Sequence, residues 1–133
     1  MAKCFTMHTF ITTHHAPGLN EQLKLEVLDE PGRGNMHHEY LISTILDGYT
    51  FGVVAGAVVL KFQKGPIKEA GVNGISNEIL LAIVMHRLQC AQAGEYACQE
   101  NQDALACITS GLEALHSRTK NRVARGVEGT SEK

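Results

Sequence analysis

The sequence holds no tryptophan and few other rings, aromatics making up 5% of its 133 residues. A core drawn from it must therefore be mostly aliphatic. It also lacks a basic excess, the formal charge being -2. Broad capture of DNA or RNA depends on neutralising phosphates, so a general nucleic-acid surface is excluded, while a local basic pocket for one small anion is not. The four cysteines, Cys4, Cys90, Cys98 and Cys107, include no CxxC pair. No apolar run followed by a small-residue cleavage site opens the chain, so the thiols are expected to be reduced and the protein cytoplasmic. The longest apolar run, Val53 to Leu60, falls well short of the about 20 residues that span a bilayer. Catalytic signatures are missing too. There is no GxSxG, no HExxH, no GxxxxGK[ST] and no close acidic pair with an evident role, so no enzyme is expected. His37 and His38 are adjacent, and neighbours on a strand point to opposite faces, so no metal site or cofactor is expected from them.

What is present divides near residue 74. Residues 1–74 hold most of the glycines and all three prolines, and read as a small antiparallel sheet region. Leu23 to Leu28 alternates with period two, as a strand with one wet face does. Glu30-Pro31-Gly32-Arg33-Gly34 is turn chemistry. His38 to Ser43 and Val58 to Phe62 are further strand candidates, Asp47-Gly48 is a tight-turn signal, and Phe5 to Thr12 alternates weakly. Residues 75–133 read as two helices. Ser76 or Asn77 caps the first, which runs to about Ala93 with Leu80, Val84, Leu88 and Ala91 at helical spacing and Ile79 and Ile83 beside them. Gly94 is expected as a left-handed stop. The second runs from about Cys98 to Ala124 on a stripe of Ala104, Ile108, Leu112 and Leu115, with Gly126 as its stop. So short a loop forces an antiparallel hairpin. The predicted class is α+β: a small N-terminal antiparallel sheet followed by a C-terminal helical hairpin. The first helix is apolar on more than one stripe, and Ser110-Gly111 in mid-helix suggests close approach of another backbone. Both point to a homo-oligomer.

Arg118, Arg122 and Arg125 recur at i, i+4 and i+7, which places them on one helix face. Guanidinium groups suit phosphate oxygens, yet cations near a helix C-terminus also complement its dipole without any ligand. Spacing alone leaves both readings open. The tail Arg125-Gly126-Val127-Glu128-Gly129-Thr130 is either a close-approach loop or a frayed end. The connection from Phe62 to Gly74 is dense in Gly, Pro and Lys, with Lys64 and Lys68 as further cations.

Taken in order, Asp29-Glu30-Pro31-Gly32, Phe62 to Ile67, Gly71 to Gly74, Arg87-Leu88, Cys98 to Asn101, Arg118-Thr119, Arg122 and the terminal Arg125 to Thr130 resemble the first class of phage anti-Thoeris proteins. The resemblance runs from about residue 23 to 130. It implies a sheet-plus-hairpin protein that forms dimers or hexamers in the cytoplasm of an infected bacterium. Such a protein sequesters, without degrading it, a cyclic ADP-ribose isomer made by TIR-domain defence proteins. The hairpin is shared with phage sponges for cyclic di- and trinucleotides, which are the alternative ligands; a structural oligomer without a ligand is the remaining alternative. The resemblance also implies site residues. Asn101, Arg118 and Arg122 would hold the pyrophosphate and polar edge. Ala91 stands where the family usually has an adenine-stacking aromatic, with Tyr96 or Phe62 as replacements. Lys64 or Lys68 would supply the loop cation, and Arg125 would serve the tail or a subunit interface.

Overall fold

The computed structural model describes residues 9–18, 22–46, 49–51 and 57–133, with backbone alone for 45, 46 and 49–51. The chain divides into two compact units, Met1–Lys64 and Gly65–Lys133. The linking segment 65–74 thus groups with the helices. The α+β class holds: an antiparallel sheet followed by helices, two of them long.

The first unit contains β1 (Thr9–Ile11), β2 (Leu23–Val27), β3 (Glu39–Leu46), β4 (Tyr49–Phe51) and β5 (Val58–Lys61). The order is β1-β2-β3-β4, and β5 also pairs with β3. The eight residues of β3 are long enough to carry β5 beside Glu39 to Ile42 and β4 beside Thr44 to Leu46. Of the weak alternation from Phe5 to Thr12, Thr9 to Ile11 form β1, and Phe5 to His8 lie outside the described residues. So do Asp47 and Gly48, although the register Leu46↔Tyr49 brackets them.

Period-two geometry puts Leu25, Ile42 and Val58 in one cross-strand row and Val27, Tyr40 and Leu60 in the next. The opposite face departs from expectation. It is not simply wet, for Glu26 is only 7% exposed and Ser43 only 1%. The strand is flanked on both sides, and Phe10 and Leu41 are its cross-strand neighbours there. Lys24 folds over this face, 4.6 Å from the Phe10 ring centroid and 3.9 Å from the Glu26 carboxylate.

The 30–34 turn motif closes the β2–β3 connection. Asp29 accepts hydrogen bonds from the backbone N–H of His38 (2.8 Å) and Glu39 (3.1 Å), and Gly32 donates to the Met36 carbonyl at 2.8 Å. A Cβ on Gly32 would come within 2.9 Å of the His38 ring, so this position requires glycine. Burial raises the Asp29 pKa, but the two backbone donors and the nearby His37 outweigh it and hold the carboxyl below its usual range.

The second unit has a single turn, α1 (Ile67–Ala70), then α2 (Asn77–Gln92) and α3 (Gln99–Ala124). Ser76 caps α2 as expected, its Oγ accepting from the Ile79 N–H at 3.4 Å. Thr109 donates to the Met85 sulfur at 3.6 Å and Gln92 to Gln102 at 3.3 Å, which sets α2 and α3 antiparallel. Along α3 the half-buried stripe is Leu105, Ile108, Leu112 and Leu115, while Ala104 is exposed. The expected stripe is therefore shifted by one residue at its start.

Two glycines behave differently from one another. Gly126 has φ +71 and ends α3 as expected. The N–H of Val127 reaches the Arg122 carbonyl (3.1 Å) and that of Gly126 reaches Val123 (2.9 Å), the Schellman pattern. Gly94 does not take the left-handed conformation. The Gln92 side chain ties down this loop instead, donating to the Cys98 carbonyl (3.1 Å) and accepting from the Cys98 N–H (3.0 Å). With the exit so held, no left-handed residue is required at position 94.

Val27, 7% exposed, is the only buried apolar side chain among the described residues. Ile79 and Ile83 on α2 are about half exposed, at 51% and 54%. A Cβ at Gly111 would meet no described residue within 4 Å, so the close approach expected there is not seen among the described residues.

Candidate functional site

Arg118, Arg122, Arg125 and Lys68 gather at one end of the hairpin. The pairings Met85–Thr109 and Gln92–Gln102 define one antiparallel register, and extending it sets Arg118 level with Ser76, the start of α2. Arg118 thus lies level with a helix N-terminus, whose partial positive charge reinforces its own, and Arg122 follows one turn further along α3.

Their states differ. Arg118 is exposed. Arg122 is folded under the tail and only 13% exposed at its side chain. Its Nε donates to Glu128 at 2.9 Å, one terminal nitrogen to the Glu132 carbonyl at 2.8 Å, and the other to Val127 (2.9 Å) and Thr130 (3.1 Å). Four of its five donors are thereby engaged. Arg125 donates to the Lys133 carbonyl at 2.7 Å. Lys68 meets the same tail from α1, its N–H donating to the Gly129 carbonyl at 3.1 Å and its methylenes lying against Gly129. The tail is therefore a tied loop in this structure, with Thr130 Oγ1 closing it on the Val127 carbonyl at 2.6 Å.

Ala91, Tyr96 and Asn101 sit at the other end. Ala91 is half-buried late in α2, and Tyr96 is 76% exposed on the loop. Asn101, in the first turn of α3, donates to the Tyr96 carbonyl at 3.3 Å. Asn101 and Arg118 are separated along α3 by about 26 Å at 1.5 Å per residue. The hairpin of one chain therefore does not bring them onto one small ligand. Phe62 and Lys64 belong to the first unit. The Phe62 ring stands edge-to-face on Tyr40, centroids 5.6 Å apart, and Lys64 is exposed.

Two residues that matter here escape a reading by spacing. Glu128, which takes Arg122, lies beyond the helix stop. Gln92, which holds the loop, looks like any polar residue at a helix end. A helix that ends in glycine and is followed within three residues by a carboxylate would have been a usable signal for the first.

Among the described residues no group of three or more His, Cys, Asp or Glu is placed to hold a metal, and no helix is long and apolar enough to cross a membrane.

No family model matches the chain. It is similar to a curated protein named Thoeris anti-defense 1, from Bacillus phage SBSphiJ7, with 47% identity over 74 residues. The matched stretch is 56% of this chain and 52% of that protein, so the match spans about half the relative's length. The resemblance drawn from the ordered motifs is borne out by it.

Proposed function

We propose that this chain is a phage anti-defence protein that binds a cyclic ADP-ribose signal of Thoeris immunity and holds it without cleaving it. The similarity to a Thoeris anti-defence protein carries this reading. The geometry shapes it. The exposed Arg118 offers a guanidinium fork to a pyrophosphate at the start of α2, where helix N–H groups add favourable potential. Asn101 lies about 26 Å away along α3, with Tyr96 and Ala91 at the same end of the hairpin, the end suited to the polar edge and base of a nucleotide. A pocket using both ends takes one end from each of two copies. The exposed apolar positions on α2 support such a homo-oligomer, a dimer or hexamer. Holding a dianion calls for charge-assisted hydrogen bonds rather than acid–base machinery, so the proposed role is binding and not catalysis.

The test is calorimetric titration with cyclic ADP-ribose isomers, followed by recovery of the ligand from the heated complex. Tight binding, on the order of nanomolar or about -12 kcal/mol, with intact ligand released, supports sequestration. Ligand returned as a linear product makes the protein an enzyme. Ala91 favours a second reading, in which the cargo is a cyclic di- or trinucleotide. A methyl group offers no stacking face, and a lost base–aromatic stack weakens binding by about 1–3 kcal/mol. The same titration with these ligands decides between the two.

A further inference from the structure

The outer face of α2 carries a feature that the nucleotide reading does not use. Helical spacing places Ile79, Ile83, His86 and Cys90 on one stripe, on the side of α2 away from Met85 and Gln92, which meet α3. All four are exposed, and none is charged in the manner of Asp, Glu, Lys or Arg. His86 Nε2 and Cys90 Sγ stand 3.7 Å apart, one turn from each other. Two ligands on one tetrahedral zinc, at Zn–N about 2.0–2.1 Å and Zn–S about 2.3 Å, are separated by about 3.6 Å. The pair thus already has the bite of half a tetrahedral site. Imidazole with thiolate is a donor set for borderline-soft divalent metals, zinc foremost.

We propose that His86 and Cys90 are half of a zinc-class site completed by the same pair from a second copy of this chain. One chain supplies two ligands where a closed structural site needs four, and among the described residues no further ligand joins them. A second α2 set alongside in register supplies the missing pair. It also covers Ile79 and Ile83 with their own counterparts, making one self-complementary patch. On binding, each Cys90 thiol releases its proton to solvent and coordinates as thiolate, and each His86 binds as neutral imidazole. Two thiolates neutralise the dication, so the closed site carries no net charge into an apolar interface. This inference is independent of what the arginine end binds.

The test adds cobalt(II), and separately zinc, to the chelator-treated full chain. The expected result is the ligand-field spectrum of tetrahedral cobalt with thiolate charge transfer, saturating at about one metal per two chains. H86Q and C90S should abolish it, while C98S and C107S should keep it. In the unmodified protein, zinc should slow alkylation of Cys90 about tenfold or more and leave Cys107 unchanged, as read by peptide mass spectrometry. That measurement needs no variant to fold. An absent thiolate–cobalt band, saturation at one metal per chain, or equal alkylation of Cys90 with and without zinc would overturn the proposal.

Discussion

The two ends of the hairpin are fastened by different chemistry. At the loop end a neutral amide, Gln92, exchanges hydrogen bonds with both backbone groups of Cys98 and with Gln102. At the open end a cation, Arg122, gathers a carboxylate and three tail carbonyls. Neutral fastening leaves the local potential unchanged. Charged fastening places the Arg122 guanidinium one helical turn from Arg118 and pairs it with the Glu128 carboxylate, so structure and charge are coupled there. The difference teaches that the arginine row is not a set of equivalent ligands. Arg118 is available, Arg122 is held by the tail, and Arg125 meets the chain's last residues.

That division sets the largest expected effect. Arg118→Ala should weaken nucleotide binding by about 1.5–3 kcal/mol, or roughly 10- to 150-fold, because a charged hydrogen-bond donor is lost to the ligand. Stability should hardly change, since the side chain is exposed. Calorimetric titration beside a thermal melt checks both. Equal binding by the variant would remove Arg118 from the site.

Arg122→Ala should act in the opposite order. Stability falls first, by about 2 kcal/mol, as the tail loses its charge-assisted anchor. The tail beyond Gly126 should become open to proteolysis, and binding should weaken as a consequence. Arg122→Lys should rescue only part, because an ammonium cannot span the spread of acceptors that the planar fork reaches. If Arg122→Ala instead left the melt and the proteolytic pattern unchanged while binding was lost, Arg122 would be a ligand contact like Arg118 and the two ends would be more alike than drawn.

Much of this fold was legible beforehand, and the failures have local causes. Strands β2, β3 and β5 and both long helices follow from periodicity and punctuation: Ser76 opens α2 and Gly126 closes α3. The three-residue β4 is too short to leave a periodic mark. The burial of Glu26 could not be read from its own strand, because Phe10 and Leu41 come from its neighbours. Gly94 looked like a left-handed stop, but the Gln92 side chain performs that task. The arginine row was visible by spacing. The distinct role of Arg122 was not, because its partner Glu128 lies on the far side of a chain reversal.

A smaller effect tests the neutral end. Gln92→Ala should cost about 1 kcal/mol, the scale of net hydrogen-bond loss on a partly exposed loop. Glutamate at this position should be no better, since Cys98 presents both a carbonyl and an N–H and only an amide satisfies the two together. Comparing urea midpoints of the Ala and Glu variants checks this. A glutamate variant as stable as the parent would mean that the Cys98 carbonyl contributes nothing to the loop.

The smallest effect concerns a carboxylate outside the hairpin and calibrates what acid should do to each end. Asp29 titrates below its usual range in the folded chain, burial being outweighed by the His38 and Glu39 N–H groups and by His37. A depressed carboxyl contributes stability that is fully present above its unfolded pKa of about 3.9 and is lost as pH falls through the folded value. The Asp29 contribution should therefore disappear only below about pH 4. In Asp29→Asn that segment of the stability–pH curve should flatten, while the Gln92 loop, having no titrating group in its hydrogen bonds, should show no matching step. Urea melts across pH 2.5 to 6, about the range that brackets an ordinary carboxyl, separate the two. An unflattened curve in Asp29→Asn would assign the acid sensitivity to other carboxylates.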